Sequence, residues 1–139
     1  MSKNFSLNLL VGLDNTPMDD HILNFLKTHG RSLTDQNIHI VHVVESESST
    51  EEGNDDKLFL QLEDKVKSKL ADAALNYTLE VKRGDLVDNV RSTVESNKID
   101  LALFGHKPFD DSGETKRLIK KPFCSLLLVP KAQNNAIKK

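Results

Sequence analysis

Asp14 ends a short apolar run, Leu7–Leu13, and stands just ahead of Asn15-Thr16-Pro17. A carboxylate there can accept hydrogen bonds from the hydroxyls of a bound sugar or from the amides of its own turn. Both roles suit Asp14. His39 and His42 lie three apart in a β-branched run, so they point to opposite faces of a strand and do not share a metal. Gly105-His106 follows a second apolar run, Ile99–Phe104, where an N–H-rich loop could meet a phosphate. His106 is either a group at the sheet's mouth or a solvated loop histidine. Asp110-Asp111 offers two adjacent acids, suited to Mg²⁺ or simply to water. Lys116, Arg117, Lys120 and Lys121 line one short helix, as an anion-binding patch or as partners of its C-terminal dipole. Cys124 is the only cysteine and reads as a small buried apolar residue rather than a redox sensor.

These residues need elements to position them. Thr16, Pro17 and Asp19 read as N-cap, first helical residue and approximate capping box. Ile22, Phe25, Leu26 and His29 then recur with helical spacing, and Gly30 marks the stop. Ile38–Val44 is β-branched and reads as a second strand. Leu58, Leu62, Val66, Leu70, Ala73 and Tyr77 step through a long helix. Residues 78–83 alternate as a half-exposed edge strand does. Gly84-Asp85 turns into a helix carrying Leu86, Val87, Val90 and Val94. A strand over 99–105, a helix over about 113–121 and a last strand, Leu126–Val129, complete the order. Strands alternating with helices predict a parallel, doubly wound α/β sheet of five strands with helices on both faces. Ligands of such sheets bind beyond the strands' carboxyl ends, here at Asp14, Val43–Val44, Gly84 and Gly105.

The chain has 139 residues, of which 37% are hydrophobic and 29% charged, and a net charge of −2. One domain of this length buries roughly 68–70% of its unfolded surface. A near-neutral charge removes the basic field that draws nucleic acid or anionic lipid. No apolar run approaches a membrane span, and no secretory leader opens the sequence, so the expected location is cytoplasmic. Residues 45–56 carry six acids, Glu45, Glu47, Glu51, Glu52, Asp55 and Asp56, and no base. This composition predicts a flexible acidic loop, and residues 131–139 a disordered basic tail. The domain itself spans residues 1–130. No Gly-x-Ser-x-Gly elbow, no P-loop and no His-Glu-x-x-His helix is present, so no catalytic residue is assigned and the chain is not read as an enzyme.

The chain resembles the universal stress proteins. Leu10–Thr16 is similar to that family's opening strand and Asp-x-Ser/Thr turn, and Ile40–Val44 to its second strand. Gly84-Asp85-Leu86 resembles its Gly-x-Pro turn, without the proline. Ile99–Gly105 is similar to its Asp-Leu-Ile-Val-x-Gly strand, and Pro122–Val129 to its closing strand. The resemblance implies an adenine nucleotide alpha hydrolase-like fold with strand order 3-2-1-4-5, a role in stress response, and a dimer joined through the last strands. Carried over residue by residue, it puts Asp14 against a ribose, Val43 against an adenine, Gly105 at the first glycine of the phosphate loop and Thr115 at a hydroxyl position.

The ATP-binding branch of that family uses Gly-x-x-Gly, nine residues, then Gly-Ser/Thr, and here the pattern breaks. Pro108 stands at the second glycine, where it removes an N–H and fixes φ. Between Gly105 and Ser112-Gly113 lie only six residues, among them Asp110 and Asp111. Each acid repels a phosphate by on the order of 1 kcal/mol in partly solvated surroundings. The leading expectation is a regulatory, stress-response interaction module with a degenerate ATP loop and no obligatory cofactor. The alternative is a sensor that still holds ATP or AMP weakly through Asp14, Val43, Gly105 and Thr115. A slow nucleotide hydrolase using Asp110 or His106 is a third reading. A receiver-type acidic pocket is disfavoured, because Asp14 has no acidic neighbour in strand order and Arg83 ends the third strand. The last strand, Leu126, Leu127, Leu128 and Val129, would be an apolar edge, and pairing with a second copy would cover it.

Overall fold

The computed structural model describes residues 6–44, 54–106 and 124–130. Five strands, β1 (Leu9–Leu13), β2 (Ile38–Val44), β3 (Tyr77–Arg83), β4 (Leu101–His106) and β5 (Ser125–Pro130), form one sheet. Its order is β3-β2-β1-β4-β5 and every neighbouring pair is parallel. The expected doubly wound sheet is therefore present, in the strand order that the resemblance implies.

Strand alternation divides the core. Leu9, Val11 and Leu13 of β1, Ile38 and Ile40 of β2, and Leu103 of β4 meet helices α1 (Met18–Leu33) and α2 (Asn54–Leu70) on one face. Leu10, Val41, Ala102 and Phe104 meet α3 (Leu86–Asn97) on the other. All ten of these strand side chains are buried. At roughly 1.5–3 kcal/mol for each large one, they dominate what holds the sheet to its helices. Gly12 belongs to the α3 face, and a Cβ there would overlap the ring of Phe104. The glycine admits the ring.

Strand ends shift by one or two residues from the sequence reading, and three helix boundaries differ from it. Gly30 does not end α1, which runs on to Leu33 with the Thr34 amide donating to the Gly30 carbonyl at 3.0 Å. Gly30 is buried instead against Leu75, whose Cδ1 would lie 3.0 Å from an added Cβ. The buried stripe of α1 is Asp19, Ile22, Leu23, Leu26 and Gly30, with His29 exposed and its ring tilted at 46° against Phe25, 4.9 Å between centroids. Helix α2 stops at Leu70 rather than passing through Tyr77. Ala74 adopts a left-handed φ of 56°, which lets Leu75 pack on Gly30 and Tyr77 pair with Ile38. Tertiary packing overrides the helix propensity of the alanine-rich segment 71–74. At its other end α2 takes in residues 54–56, the last part of the acidic stretch. Residues 45–53 of that stretch, the helix expected near 113–121 and the tail 131–139 lie outside the described residues.

Two turns match their sequence signals. Gly84 has φ 120° and opens the β3–α3 turn. Asp85 then caps α3, its carboxylate accepting from the Asp88 amide at 2.9 Å. Edge strand β3 shows the expected alternation, with Leu79 half-buried between exposed Thr78 and Glu80. Among the described residues no helix is long and apolar enough to cross a membrane.

Candidate functional site

The carboxyl ends of β1, β2 and β4 lie side by side at the centre of the sheet. The last β1–β2 pair in register is Leu13 with His42, so Asp14 and Val43 are the next residues on adjacent strands. On the other flank Leu103 pairs with Val11, and Gly105 lies two residues beyond it, where Leu13 lies two beyond Val11. Three of the four expected ligand residues, Asp14, Val43 and Gly105, thus stand at one mouth. The fourth, Thr115, lies outside the described residues, as do Pro108, Asp110, Asp111, Ser112 and the lysine-arginine cluster of 116–121.

Asp14 is half-buried and its Oδ1 accepts from the Thr16 amide at 3.1 Å and the Thr16 hydroxyl at 2.5 Å. The turn-forming role open in the sequence is therefore real, and it fixes one oxygen of the carboxylate against the start of α1. Thr16 in turn accepts from the Met18 amide at 3.2 Å. Val43 is half-buried against the α3-side cluster, on the same face as Val41. An added Cβ at Gly105 would overlap Met18, so the first turn of α1 rests directly on the end of β4. Packing alone accounts for that glycine, whatever the loop beyond it does.

The approximate capping box takes a different form. Asp19 does not reach the Thr16 amide, which Asp14 already satisfies. Its carboxylate reaches further back and accepts from the Asp14 amide at 3.0 Å through Oδ1 and the Asn15 amide at 2.9 Å through Oδ2. Asn15, with a left-handed φ of 62°, turns both amides toward it, a conformation asparagine tolerates better than most residues. Lys65 of α2 completes the arrangement with Nζ 3.1 Å from Oδ2. Asp19 is 0% exposed, and burial, with the Asp14 charge adding to it, pushes its pKa up against the Asp14 amide and Lys65. One turn further, Lys69 lies 4.0 Å from Asp20, a weaker, exposed counterpart.

His42 acts on the same peptide from the other side. Its Nδ1 lies 2.8 Å from the Leu13 carbonyl, and since a carbonyl only accepts, Nδ1 carries the proton. The peptide joining Leu13 to Asp14 is thus held at its oxygen by β2 and at its nitrogen by α1. His39 belongs to the opposite face of β2, as expected from the strand period. No group of three or more metal-ligating side chains occurs among the described residues.

Asp19, Lys65 and His42 are the functional-site neighbours that sequence reasoning missed. Asp19 carried a signal: it precedes Ile22, Leu23 and Leu26 by three, four and seven residues, so it lies on the buried stripe rather than beside it. It is also the acid near Asp14 that strand order does not reveal. Lys65 carried none, being one of several lysines on α2. Cys124 is half-buried with its thiol pushed up by burial, in keeping with a packing role.

Comparison with known proteins gives a consistent result. The profile of the universal stress protein family matches residues 7–130. A search of curated proteins finds no match. Among solved structures, the fold is similar to a universal stress protein from Archaeoglobus fulgidus, with TM-score 0.69 and 11% identity over 90% of this chain and 99% of that one. A universal stress protein from Archaeoglobus fulgidus in complex with dAMP gives TM-score 0.66 and 11% identity over 91% and 99%. An Arabidopsis thaliana family protein with AMP bound gives TM-score 0.66 and 13% identity over 96% and 97%. With strand order and profile in agreement, the chain belongs to the universal stress protein family.

Proposed function

We propose that this chain is a regulatory, non-enzymatic member of its family whose strand-end mouth takes an adenosine monophosphate in preference to ATP. The observation that carries the reading is the register: Asp14 and Val43 are successive strand-end neighbours, an acid for a ribose hydroxyl beside an apolar wall for a base. A monophosphate needs little beyond these two groups. A triphosphate needs a long amide-lined loop, and the six residues between Gly105 and Ser112 include a proline and two acids. The similar structures solved with AMP and with dAMP support a ligand of this size. Titration calorimetry tests the reading. AMP is expected to bind at micromolar to submillimolar concentration, with Mg²⁺-ATP no tighter. ATP binding tenfold tighter than AMP would contradict it, as would binding of neither.

A homodimer through β5 goes with this reading. The strand lies at the edge of the sheet, and Leu126, Leu127 and Leu128 are only half-buried, whereas Val129 is buried in its own chain's core. Any pairing would therefore use the strand's backbone edge and the three leucines. Light scattering at tens of micromolar should report a mass near twice that of the chain, and a monomer would exclude the dimer.

A further inference from the structure

We propose that Asp19 and His42 are positioning residues for the ligand, acting together as a clamp on the Leu13–Asp14 peptide. The inference rests on the reading that Asp14 meets a ribose, and it adds what makes Asp14 fit to do so.

Strand β1 runs out of sheet partners at Leu13, the last residue in register with β2. An unpaired peptide at that point would leave Asp14 free to rotate about its own backbone, and its carboxylate would sample many directions. Two side chains from different elements replace the missing ladder. The Leu13 carbonyl accepts from His42 Nδ1 at 2.8 Å, and the Asp14 amide donates to Asp19 Oδ1 at 3.0 Å. The next amide, of Asn15, is taken by the second oxygen of the same carboxylate at 2.9 Å. Backbone direction is thereby set on both sides of the Asp14 Cα. The Thr16 amide and hydroxyl then fix the carboxylate itself.

Stability alone does not account for an acid at this place. The carboxylate is wholly buried beside the Asp14 carboxylate, and burial pushes its pKa up despite Lys65 and the Asp14 amide. A serine there would bury no charge, but its single hydroxyl oxygen could not take both amides. What the carboxylate adds is two acceptor oxygens at fixed spacing, enough to hold two consecutive amides at once. A pre-set Asp14 binds without the ordering cost that a mobile one would meet, and that difference appears as affinity.

Calorimetric AMP affinities of four proteins test the clamp, each first shown folded by circular dichroism: wild type, Asp14→Ala, Asp19→Asn and the double variant. Asp19→Asn keeps shape and volume and removes one acceptor. It should weaken AMP binding about tenfold, the scale of one hydrogen bond to a charged group. Added to Asp14→Ala it should weaken binding no further, because it acts through Asp14. Asp19→Asn binding like wild type, or losses that multiply in the double variant, would overturn the clamp. Wild-type protein that binds no AMP, or Asp14→Ala that binds as wild type, would instead overturn the nucleotide reading and remove the clamp's function with it. Should Asp19→Asn not fold, His42 carries the test. His42→Leu is expected to weaken AMP binding about tenfold, and His42→Asn, whose amide nitrogen sits near the place of Nδ1, to restore most of it. Equal affinities in the two His42 variants would overturn the proposal.

Discussion

Two strand-to-helix turns of this molecule each depend on an aspartate, and they use it in opposite ways. At the β3–α3 turn, Asp85 stands before the helix in solvent and accepts from the Asp88 amide three residues ahead. At the β1–α1 turn, Asp19 stands inside the helix, fully buried, and accepts from two amides four and five residues behind it. Through that bond Asp85 serves the start of its own helix. Asp19 joins α1, β1 and α2, since Lys65 reaches it across 46 positions of sequence. A local cap starts a helix at little desolvation cost, whereas a buried carboxylate costs more and fixes a loop in return. The second device sits at the strand-end mouth that carries Asp14 and Val43, and the first at the turn after the edge strand.

The contrast is best broken by removing each acid. Asp19→Ala strands two amides and the Lys65 ammonium together, and a loss of about 3 kcal/mol is expected in urea unfolding. A loss below about 1 kcal/mol would mean that the turn holds itself. Glycine packing gives the next effect. Gly12→Ala drives a methyl into the ring of Phe104, which is buried and cannot swing aside, so about 2–3 kcal/mol is expected. Gly105→Ala meets the flexible Met18 and should cost about half as much, and equal losses would show that the α1 start is as rigid as the α3 face. Asp85→Ala should cost only about 1 kcal/mol, in the range of a single lost N-cap.

Smallest is the dependence on pH. Asp19 holds its proton more tightly folded than unfolded, so the native state binds more protons between the ordinary carboxylate pKa and the raised one. Stability from this group is therefore complete at low pH and falls as pH rises through the raised value. Unfolding free energies of wild type minus Asp19→Asn, followed from pH 3 to 8, should decline with pH. A difference that rises with pH would assign the dominant influence to Lys65 and the amides.

Much of this architecture was legible because its elements carry single, local signals. Four apolar or β-branched runs and one alternating run marked the five strands, and Gly84-Asp85 marked a capped helix start. The end of α2 was not legible, because Ala71-Asp72-Ala73-Ala74 holds no stop residue and the turn is imposed by Leu75 packing on Gly30. Gly30 misled for the matching reason: its value lies in close approach rather than in a left-handed turn. At the site, strand ends alone pointed to Asp14 and Val43–Val44, and the family resemblance singled out Val43. The clamp around Asp14 was not, since an acid in a first turn reads as a cap until its neighbours on the buried stripe are counted. Lys65 and the His42–Leu13 contact depend on which strands and helices are adjacent, which spacing along the chain does not record.

The most direct test of the functional account is a crystal structure of the chain grown with AMP. The expected density shows adenine against Val43 and the Asp14 carboxylate within hydrogen-bonding distance of a ribose hydroxyl, with the Asp19 and His42 contacts to the Leu13–Asp14 peptide intact. Well-ordered crystals with AMP seated elsewhere, or with the mouth between β1 and β2 filled only by water, would contradict it.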